Sequence, residues 1–363
     1  MVFLRRTIAN SLPKILFMKQ NQSVESIESL GEFGLIEYLT KDFITHCNST
    51  VKGVGDDAAV IDCGDYFRLI TTDLLVEGIH FDLIYTPLRH LGYKAVTVNL
   101  SDIFAMNGKP EQITVSIALS NKISLKAIEE IYEGIRLACN AYEVDLVGGD
   151  TTTSLTGLLI SITAIGTARK QEVCLRSGAQ VNDVICVSGN LGASYLGLQL
   201  LEREKQIFIA DPHIQPEIGK YPYCIQRQLK PEARKDVVEN LKKADINPHA
   251  MIDVSDGLSS DLLHICKQSK VSCKVFEDKL PIDTETASLA CELNIDPTIA
   301  AMNGGEDYEL LFTIDSKELE KIAKIDGITA IGYVTSANNR PLLIARNGVE
   351  IELKAQGWNH FDK

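Results

Sequence analysis

The chain has 363 residues, of which 45% are apolar and 23% charged, a composition typical of a globular protein long enough for two domains. The formal net charge of −13 argues against nucleic acid or an anionic membrane as the main partner, and no apolar run approaches the ~18 residues of a membrane span. Nine scattered cysteines without a C-x-x-C pair favour a reducing, cytoplasmic compartment over a zinc knuckle or a redox motif.

The first half of the chain mixes helices and strands without a regular βαβ repeat. Residues 1–30 are predicted to be a disordered N-terminal extension. The hydrophobic patterns then predict, in chain order, a helix at 31–41, a Gly- and Asp-rich loop at 50–57, strands at 58–62 and 67–72, a helix at 88–106, a strand at 113–119, a helix at 124–142 and a strand at 158–166.

The second half also mixes helices and strands, and it follows a polar stretch at residues 168–178. The predicted elements are a strand at 184–188, helices at 191–204, 231–243 and 258–267, and strands at 308–314 and 328–334. These patterns favour an α+β fold over a doubly wound sheet. We therefore predict two α+β domains, at residues 31–170 and 171–363.

The common nucleotide-binding motifs are missing or weak. The sequence contains no G-x-x-x-x-G-K-[ST] motif, which excludes a P-loop enzyme. Residues 53–58 match a loose G-x-G-x-x-A pattern, but a strand is predicted after them where a dinucleotide-binding fingerprint requires a helix. Two aspartates in that loop would also face a pyrophosphate with no cation between them.

Six acidic stretches remain, and each places a carboxylate beside Gly, Ser or Thr at the edge of an apolar element or within one. They are Asp56-Asp57, Thr71 to Asp73, Asn99 to Asp102, Gly148 to Thr152, Ile252 to Gly257 and Gly304 to Glu309. Any single stretch could be a helix cap or an Asx turn. Six together in an acidic chain predict hard oxygen ligands for several Mg²⁺ ions, which would accompany a phosphate substrate.

Two side chains within or beside these stretches stay open to more than one interpretation. Asp102 lies on an apolar predicted helix, where burial of its carboxylate would be costly without a metal ion or a buried Lys or Arg as partner. His80, in the run Gly78-Ile79-His80-Phe81, is equally compatible with a core histidine and with a substrate contact.

Taken in order, the motifs resemble the thiamine-monophosphate kinase family across about residues 31–361. The matching stretches are Gly31-Glu32-Phe33, GVGDDAAVI at 53–61, TTDLLVEGIHF at 71–81, KAVTVNLSDIFAMNGKP at 94–110, LVGGDTT at 146–152, RSGA at 176–179, IDVSDGLSSDL at 252–262, NGGEDYELLFT at 303–313, IGYV at 331–334 and the terminal segment 357–361. Single motifs are shared with related ATP-using families, whereas the ordered set is specific to this one.

The resemblance implies both a fold and a reaction. It implies two α+β domains, with the N-terminal sheets of two subunits forming a dimer barrel and with ATP and Mg²⁺ in a cleft between the domains. The implied reaction transfers the γ-phosphoryl group of ATP to thiamine monophosphate, giving thiamine diphosphate and ADP, the last step of thiamine diphosphate biosynthesis. Because the acceptor is already an anion, no catalytic nucleophile or general base is expected, and catalysis would consist of positioning and electrostatics.

The resemblance also assigns roles to individual residues. The implied magnesium shell is Asp57, Thr71, Thr72, Asp73, Asp102, Asp150, Asp253 and Asp256. The implied ATP contacts are Gly149, Asp150, Arg176 and Ser255, and the implied contacts to thiamine monophosphate are His80, Glu306 and Trp358. An indole facing the cationic thiazolium ring would be physically sensible.

Two alternatives remain at this point. The first is another ATP-using member of the same superfamily, such as aminoimidazole ribonucleotide synthetase. The second is a catalytically silent nucleotide-binding regulator, against which the intact acidic motifs argue. A phosphotransfer assay with thiamine monophosphate separates the three interpretations.

Overall fold

A computed structural model describes residues 27–355 of the protein, with side chains from residue 30 onward. Most of the predicted N-terminal extension and the predicted substrate contact Trp358 lie outside these residues. The described residues divide into two compact units, one of residues 44–355 and one that contains the first helix. That helix is bent at Gly31, where φ is 63°. No helix in the described range is long and apolar enough to cross a membrane.

The larger unit holds most of the regular structure. The α-helices of residues 27–355 are α1 (Ile27–Thr40), α2 (Leu88–Ala105), α3 (Leu125–Tyr142), α4 (Ala193–Ala210), α5 (Pro222–Leu229), α6 (Lys235–Lys243), α7 (Leu258–Ser269), α8 (Thr284–Leu293), α9 (Pro297–Asn303) and α10 (Leu319–Ile322). The strands are β1 (Thr50–Lys52), β2 (Ala59–Asp62), β3 (Tyr66–Val76), β4 (Lys109–Leu119), β5 (Asp145–Thr153), β6 (Leu159–Arg169), β7 (Val184–Ser188), β8 (Ala250–Asp253), β9 (Val271–Phe276), β10 (Leu310–Ile314), β11 (Ile328–Ser336), β12 (Leu342–Ile344) and β13 (Glu350–Glu352).

The strands form two sheets, one on each side of the predicted boundary near residue 170. The first sheet has the order β1-β2-β3-β6-β4-β5 and is antiparallel except for the β4–β5 pair. The second has the order β13-β12-β9-β11-β7-β10-β8 and is antiparallel except for the β9–β12 pair. This confirms the α+β prediction, since parallel pairs joined by crossover helices do not dominate either sheet.

Helix α2 is the central element of the larger unit. Fourteen of its residues are buried, and it packs on α3, on strands β3, β4 and β6, and on β8 and α5 of the second half. One hydrophobic core therefore extends from the first sheet to α6 and β10. Contacts from both halves leave α2 buried on most of its faces, and a polar residue on it therefore requires a specific partner.

The sequence patterns predicted the long elements and missed several short or exposed ones. Strand β3 continues to Val76 instead of ending near Thr72, and strands β5, β8 and β9 were not predicted. Strand β5 escapes the usual pattern because all nine of its residues are exposed, so it shows no apolar alternation. Helices α5, α8 and α9 are 7–10 residues long and offer too few turns for a clear period.

Candidate functional site

Three aspartates converge at one end of α2 and form what we call the acid cluster: Asp57, Asp102 and Asp253. One carboxylate oxygen from each residue lies within 4.8 Å of those of the other two. Asp57 precedes β2, Asp102 lies in the last turn of α2, and Asp253 is the last residue of β8. The cluster therefore draws ligand-type oxygens from both halves of the larger unit.

Hydroxyl groups hold two of these carboxylates in place. The Thr71 Oγ1 donates to Asp102 Oδ2 at 2.6 Å, and the Ser101 Oγ donates to Asp253 Oδ2 at 2.6 Å. Both bonds join neighbouring elements, since Thr71 lies on β3 and Ser101 on α2. Short hydrogen bonds to a carboxylate are relatively strong, so they orient the oxygens.

The cluster carries more negative charge than the surrounding protein neutralises. Burial raises the pKa of Asp57 to about 7, and the nearby charge of Asp253 adds to this effect. Burial likewise raises the pKa of Asp253 to about 6 and that of Asp102 well above its usual range. The buried Asp57 Oδ2 has no hydrogen-bond partner among residues 27–355. Three crowded carboxylates with an unpaired buried oxygen fit a hard divalent cation such as Mg²⁺.

Arg176 is the cation that the structure places beside this cluster. Its Nη2 and Nε donate to Asp57 Oδ1 at 2.7 and 3.2 Å, and its backbone N–H donates to Asp56 Oδ1 at 3.0 Å. The Gln268 side chain also donates to the carbonyl of Gly55 at 2.7 Å. The loop at 53–57 is thus fixed by contacts from the polar segment after β6 and from α7.

Glu306 lies in the segment before β10 and contacts the buried lysine of α2, Lys94. The Lys94 Nζ donates to Glu306 Oε2 at 2.5 Å, and the Tyr308 hydroxyl donates to Glu306 Oε1 at 3.1 Å. Burial alone would raise the pKa of Glu306, but the ammonium of Lys94 outweighs it and holds the pKa below its usual value. His80 is close enough to lower this pKa further, and its Nδ1 accepts the backbone N–H of Val76 at 3.0 Å.

Two further predicted carboxylates lie near the acid cluster, whereas the side chain of Thr72 and the backbone of Ser255 make other contacts. The charge of Asp73 raises the pKa of Asp102, and that of Asp256 raises the pKa of Asp253, so both carboxylates lie close to the cluster. The Thr72 hydroxyl donates to the carbonyl of Ile162 at 3.1 Å. The carbonyl of Ser255 accepts the backbone N–H of Glu306 at 2.7 Å, which links two of the acidic stretches.

The stretch 148–152 is placed differently from the other five. Gly149 and Asp150 lie within the exposed edge strand β5, opposite Val115 and Ser116 of β4. Gly149 has φ 155°, and a Cβ at that position would lie 1.8 Å from the Val115 carbonyl oxygen, so close strand packing requires the glycine. Among the described residues, Asp150 does not join the acid cluster of its own chain.

Sequence reasoning assigned no role to Lys94, Ser101 and Tyr308, which support the predicted residues. A signal was present for Lys94, because a lysine on a helix that is otherwise buried needs a carboxylate or carbonyl partner. Lys94 and Ser101 are also seven residues apart, a separation that places both on one face of the helix. The partners Glu306 and Asp253 could not be inferred, because they depend on how the two halves pack.

Comparison with known proteins identifies relatives of this chain. The family model described as AIR synthase related protein, N-terminal domain, matches residues 55–168. The thiamine-monophosphate kinase of Bacillus subtilis (strain 168) is 35% identical over 341 residues, which cover 92% of this chain and 100% of that protein. The thiamine-monophosphate kinase of Aquifex aeolicus (strain VF5) is 34% identical over 335 residues, 92% of this chain and 99% of that protein.

A solved structure gives the same result in three dimensions. The structure described as AaThiL complexed with AMPPCP and TMP superposes with a TM-score of 0.79 at 32% identity, covering 94% of this chain and 100% of that one. Sequence identity above 30% over nine-tenths of the chain accompanies the same arrangement of two sheets. The chain belongs to the thiamine-monophosphate kinase family.

Proposed function

We propose that the protein transfers the γ-phosphoryl group of ATP to the phosphate of thiamine monophosphate, giving thiamine diphosphate and ADP. The observation that carries this proposal is the acid cluster, in which three carboxylates with raised pKa values meet between the two halves of the larger unit. Its oxygens suit Mg²⁺-bound phosphates. Family membership supplies the identity of the two substrates.

Asp57, Asp102 and Asp253 would hold the metal ions, with Asp73 and Asp256 beside them. Bound Mg²⁺ would neutralise the repulsion between two phosphate groups and stabilise charge in the transition state. We keep Thr71, Thr72 and Asp150 as further proposed members of the magnesium shell.

The chain's own residues would orient the reactants. Thr71 and Ser101 fix two of the carboxylates, as their short hydrogen bonds indicate. Arg176, which is held by Asp57, is proposed to contact ATP together with Gly149, Asp150 and Ser255. No base is needed, because the acceptor phosphate is ionised at neutral pH. The contribution of the protein is therefore placement of two anions in line.

We further propose that His80, Glu306 and Trp358 contact thiamine monophosphate. The placement of Glu306 supports this, since its carboxylate is partly exposed, lies near His80 and is open to a cationic ring. The proposed assembly is a homodimer through the N-terminal domains, residues 31–170, with ATP and Mg²⁺ in a cleft toward residues 171–363. Nine unpaired cysteines agree with the proposed cytoplasmic location.

Product analysis tests the proposed function directly. The protein is mixed with ATP, Mg²⁺ and thiamine monophosphate, and the products are separated by chromatography. We expect thiamine diphosphate and ADP in equal amounts, and no thiamine diphosphate when Mg²⁺ is chelated. Release of ADP and free phosphate alone would indicate another ATP-using activity. Nucleotide binding without any turnover would favour the silent regulator and contradict the proposal.

A further inference from the structure

The lysine on the buried face of α2 has no role in the proposed chemistry described so far. Its side chain is only 3% exposed, and its Nζ donates to Glu306 Oε2 at 2.5 Å and to the Gln228 carbonyl at 3.2 Å. Burying an ammonium group is costly, and a buried ion pair is often no more stabilising than apolar side chains of similar size. The Lys94–Glu306 pair therefore calls for an explanation other than stability.

Glu306 sits on backbone that is held in an unfavourable conformation. Both Glu306 (φ 58°) and Tyr308 (φ 51°) are in the left-handed region, which is sterically unfavourable for a non-glycine residue. Between them, the Asp307 carboxylate accepts the Gly192 N–H at 2.7 Å and anchors the segment to the start of α4. Strain of this kind persists where the surrounding structure enforces it, commonly at binding sites.

The carboxylate of Glu306 also keeps an open side. Its Oε2 is bonded to Lys94 and its Oε1 to the Tyr308 hydroxyl, yet the side chain remains 30% exposed. The ion pair thus has a buried positive end and a solvent-facing negative end. A ligand that approaches from the open side meets the carboxylate and not the ammonium.

Helix α2 sets the distance between this carboxylate and the acid cluster. Lys94 and Ser101 are seven residues apart on one helix face, a separation of about 10 Å at 1.5 Å per residue. Ser101 bonds Asp253 of the acid cluster, whereas Lys94 bonds Glu306. One rigid helix therefore fixes a phosphate-binding region and a cation-attracting carboxylate at a set spacing.

We propose that Lys94 is a positioning residue that holds Glu306 toward the positively charged ring of thiamine monophosphate. By occupying one oxygen, Lys94 fixes the carboxylate in a single orientation, with its open side toward the substrate. The inference rests on the proposed function, because Glu306 is assigned to this substrate there. Lys94 itself does not touch the substrate, so its effect is exerted through Glu306.

The test is a double-mutant cycle in the full-length protein, with steady-state kinetics for both substrates. The variants are Lys94→Met, Glu306→Gln and the double variant. Lys94→Met alone is expected to raise the KM for thiamine monophosphate about tenfold while kcat and the KM for ATP stay within about threefold. In the Glu306→Gln background, Lys94→Met should raise the KM for thiamine monophosphate by less than about threefold, because the carboxylate that Lys94 orients is already absent.

Two further variants keep the test decisive. Lys170→Met removes a lysine that pairs with Asp62 at 2.6 Å outside the site, and it should leave both KM values unchanged. Lys94→Arg keeps the charge in a different shape, and it should raise the KM for thiamine monophosphate less than Lys94→Met does. If Lys94→Met fails to fold, the arginine variant and its combination with Glu306→Gln complete the cycle.

The outcomes separate this inference from the proposed function. Independent, multiplicative effects of Lys94→Met and Glu306→Gln on that KM would overturn the positioning role, as would a lower melting temperature with an unchanged KM. A Glu306→Gln variant with normal KM for thiamine monophosphate would remove the assignment of Glu306 itself, and with it the inference. Absence of phosphotransfer by the unmodified protein would instead contradict the proposed function.

Discussion

At the scale of single residues, the candidate site consists of buried carboxylates whose ionisation is unfavourable without a cation. Asp57, Asp102 and Asp253 are crowded together, and burial raises the pKa of each. A raised pKa means that ionising the carboxylate opposes folding, so positive charge supplied at the cluster is expected to stabilise the protein. The predictions at this scale follow from that imbalance.

Replacing Asp102 by Asn should separate activity from stability. We expect Asp102→Asn to lower turnover by at least about a hundredfold, because loss of a metal-binding carboxylate removes charge neutralisation in the transition state. The melting temperature of the metal-free protein should stay equal or rise, since the amide oxygen can still accept the Thr71 hydroxyl and an asparagine cannot acquire a charge beside the other two carboxylates. Phosphotransfer assays and thermal denaturation measure the two effects.

The matched control for that variant is Asp62→Asn, which removes an exposed carboxylate paired with Lys170. It should keep near-normal turnover. Asp150→Asn is expected to lose activity as Asp102→Asn does, although Asp150 lies on the exposed strand β5. Normal activity in Asp150→Asn alone would remove Asp150 from the proposed shell, whereas normal activity in both would remove the shell.

Stabilisation by Mg²⁺ should depend on pH with a definite sign. In the metal-free protein, a raised folded-state pKa favours folding at low pH, and this contribution is lost as pH rises through about 6 for Asp253 and about 7 for Asp57. Mg²⁺ competes with those protons, so its effect on the melting temperature should be small near pH 5.5 and larger near pH 8. The measurement compares the melting temperature with Mg²⁺ and with a chelator at each pH. An equal difference at both pH values would contradict this prediction.

Residue types were the most predictable part of the site. The acidic stretches around Asp57, Asp102 and Asp253 stand out in the sequence because carboxylates next to Gly, Ser or Thr recur beside apolar runs. Their convergence, and the bond from Ser101 to Asp253 across 152 residues, could not be predicted, because these depend on the packing of two halves. Pairwise contacts between distant segments leave no local pattern.

At the scale of elements, the crossing of α2 and α3 explains how the central helix is held. A Cβ at Gly92 would lie 1.9 Å from the Ile131 carbonyl oxygen, and one at Gly134 would lie 1.9 Å from that of Arg89. The two backbones are therefore in direct contact at reciprocal glycines. The spacing of apolar residues predicted both helices, but it does not indicate which glycine lies at the point where two helices cross.

Gly134→Ala should destabilise the protein even though alanine favours helices by about 1 kcal/mol over glycine. The added methyl group must push the helices apart, and overpacking of this kind costs about 1–3 kcal/mol or more. Denaturant unfolding measures the change. Gly219→Ala is the control, since nothing lies within 4 Å of a Cβ there, and it should change stability by less than about 0.5 kcal/mol. Equal effects would refute the close crossing.

At the scale of the whole molecule, the first sheet ends in an unusual edge. All nine residues of β5 are exposed, among them Leu146 and Val147, and the strand pairs only with β4 within the described part of the chain. A long exposed edge strand with unpaired backbone groups invites pairing with another chain unless it is covered. This supports the proposed homodimer through the N-terminal sheets.

Val147→Lys should weaken that dimer. A charge on β5 would be buried without a partner in the proposed interface, so the sedimenting species should shift from twice the chain mass toward the single-chain mass at micromolar concentration. Val349→Lys serves as control, because Val349 is similarly exposed (53% against 58%) but lies in the second half. A concentration-independent monomer in the unmodified protein would rule out the dimer.

The wide spacing of the acid cluster along the chain has a consequence for synthesis on the ribosome. Asp57 and Asp102 emerge early, whereas Asp253 is added 151 residues after Asp102, roughly eight to thirty seconds later at ordinary rates of translation. Until then, α2 has no β8 to cover it, and its apolar surface is exposed to the cell. The nascent N-terminal half should therefore be a substrate for chaperones, and the three carboxylates of the acid cluster come together only in the last third of synthesis.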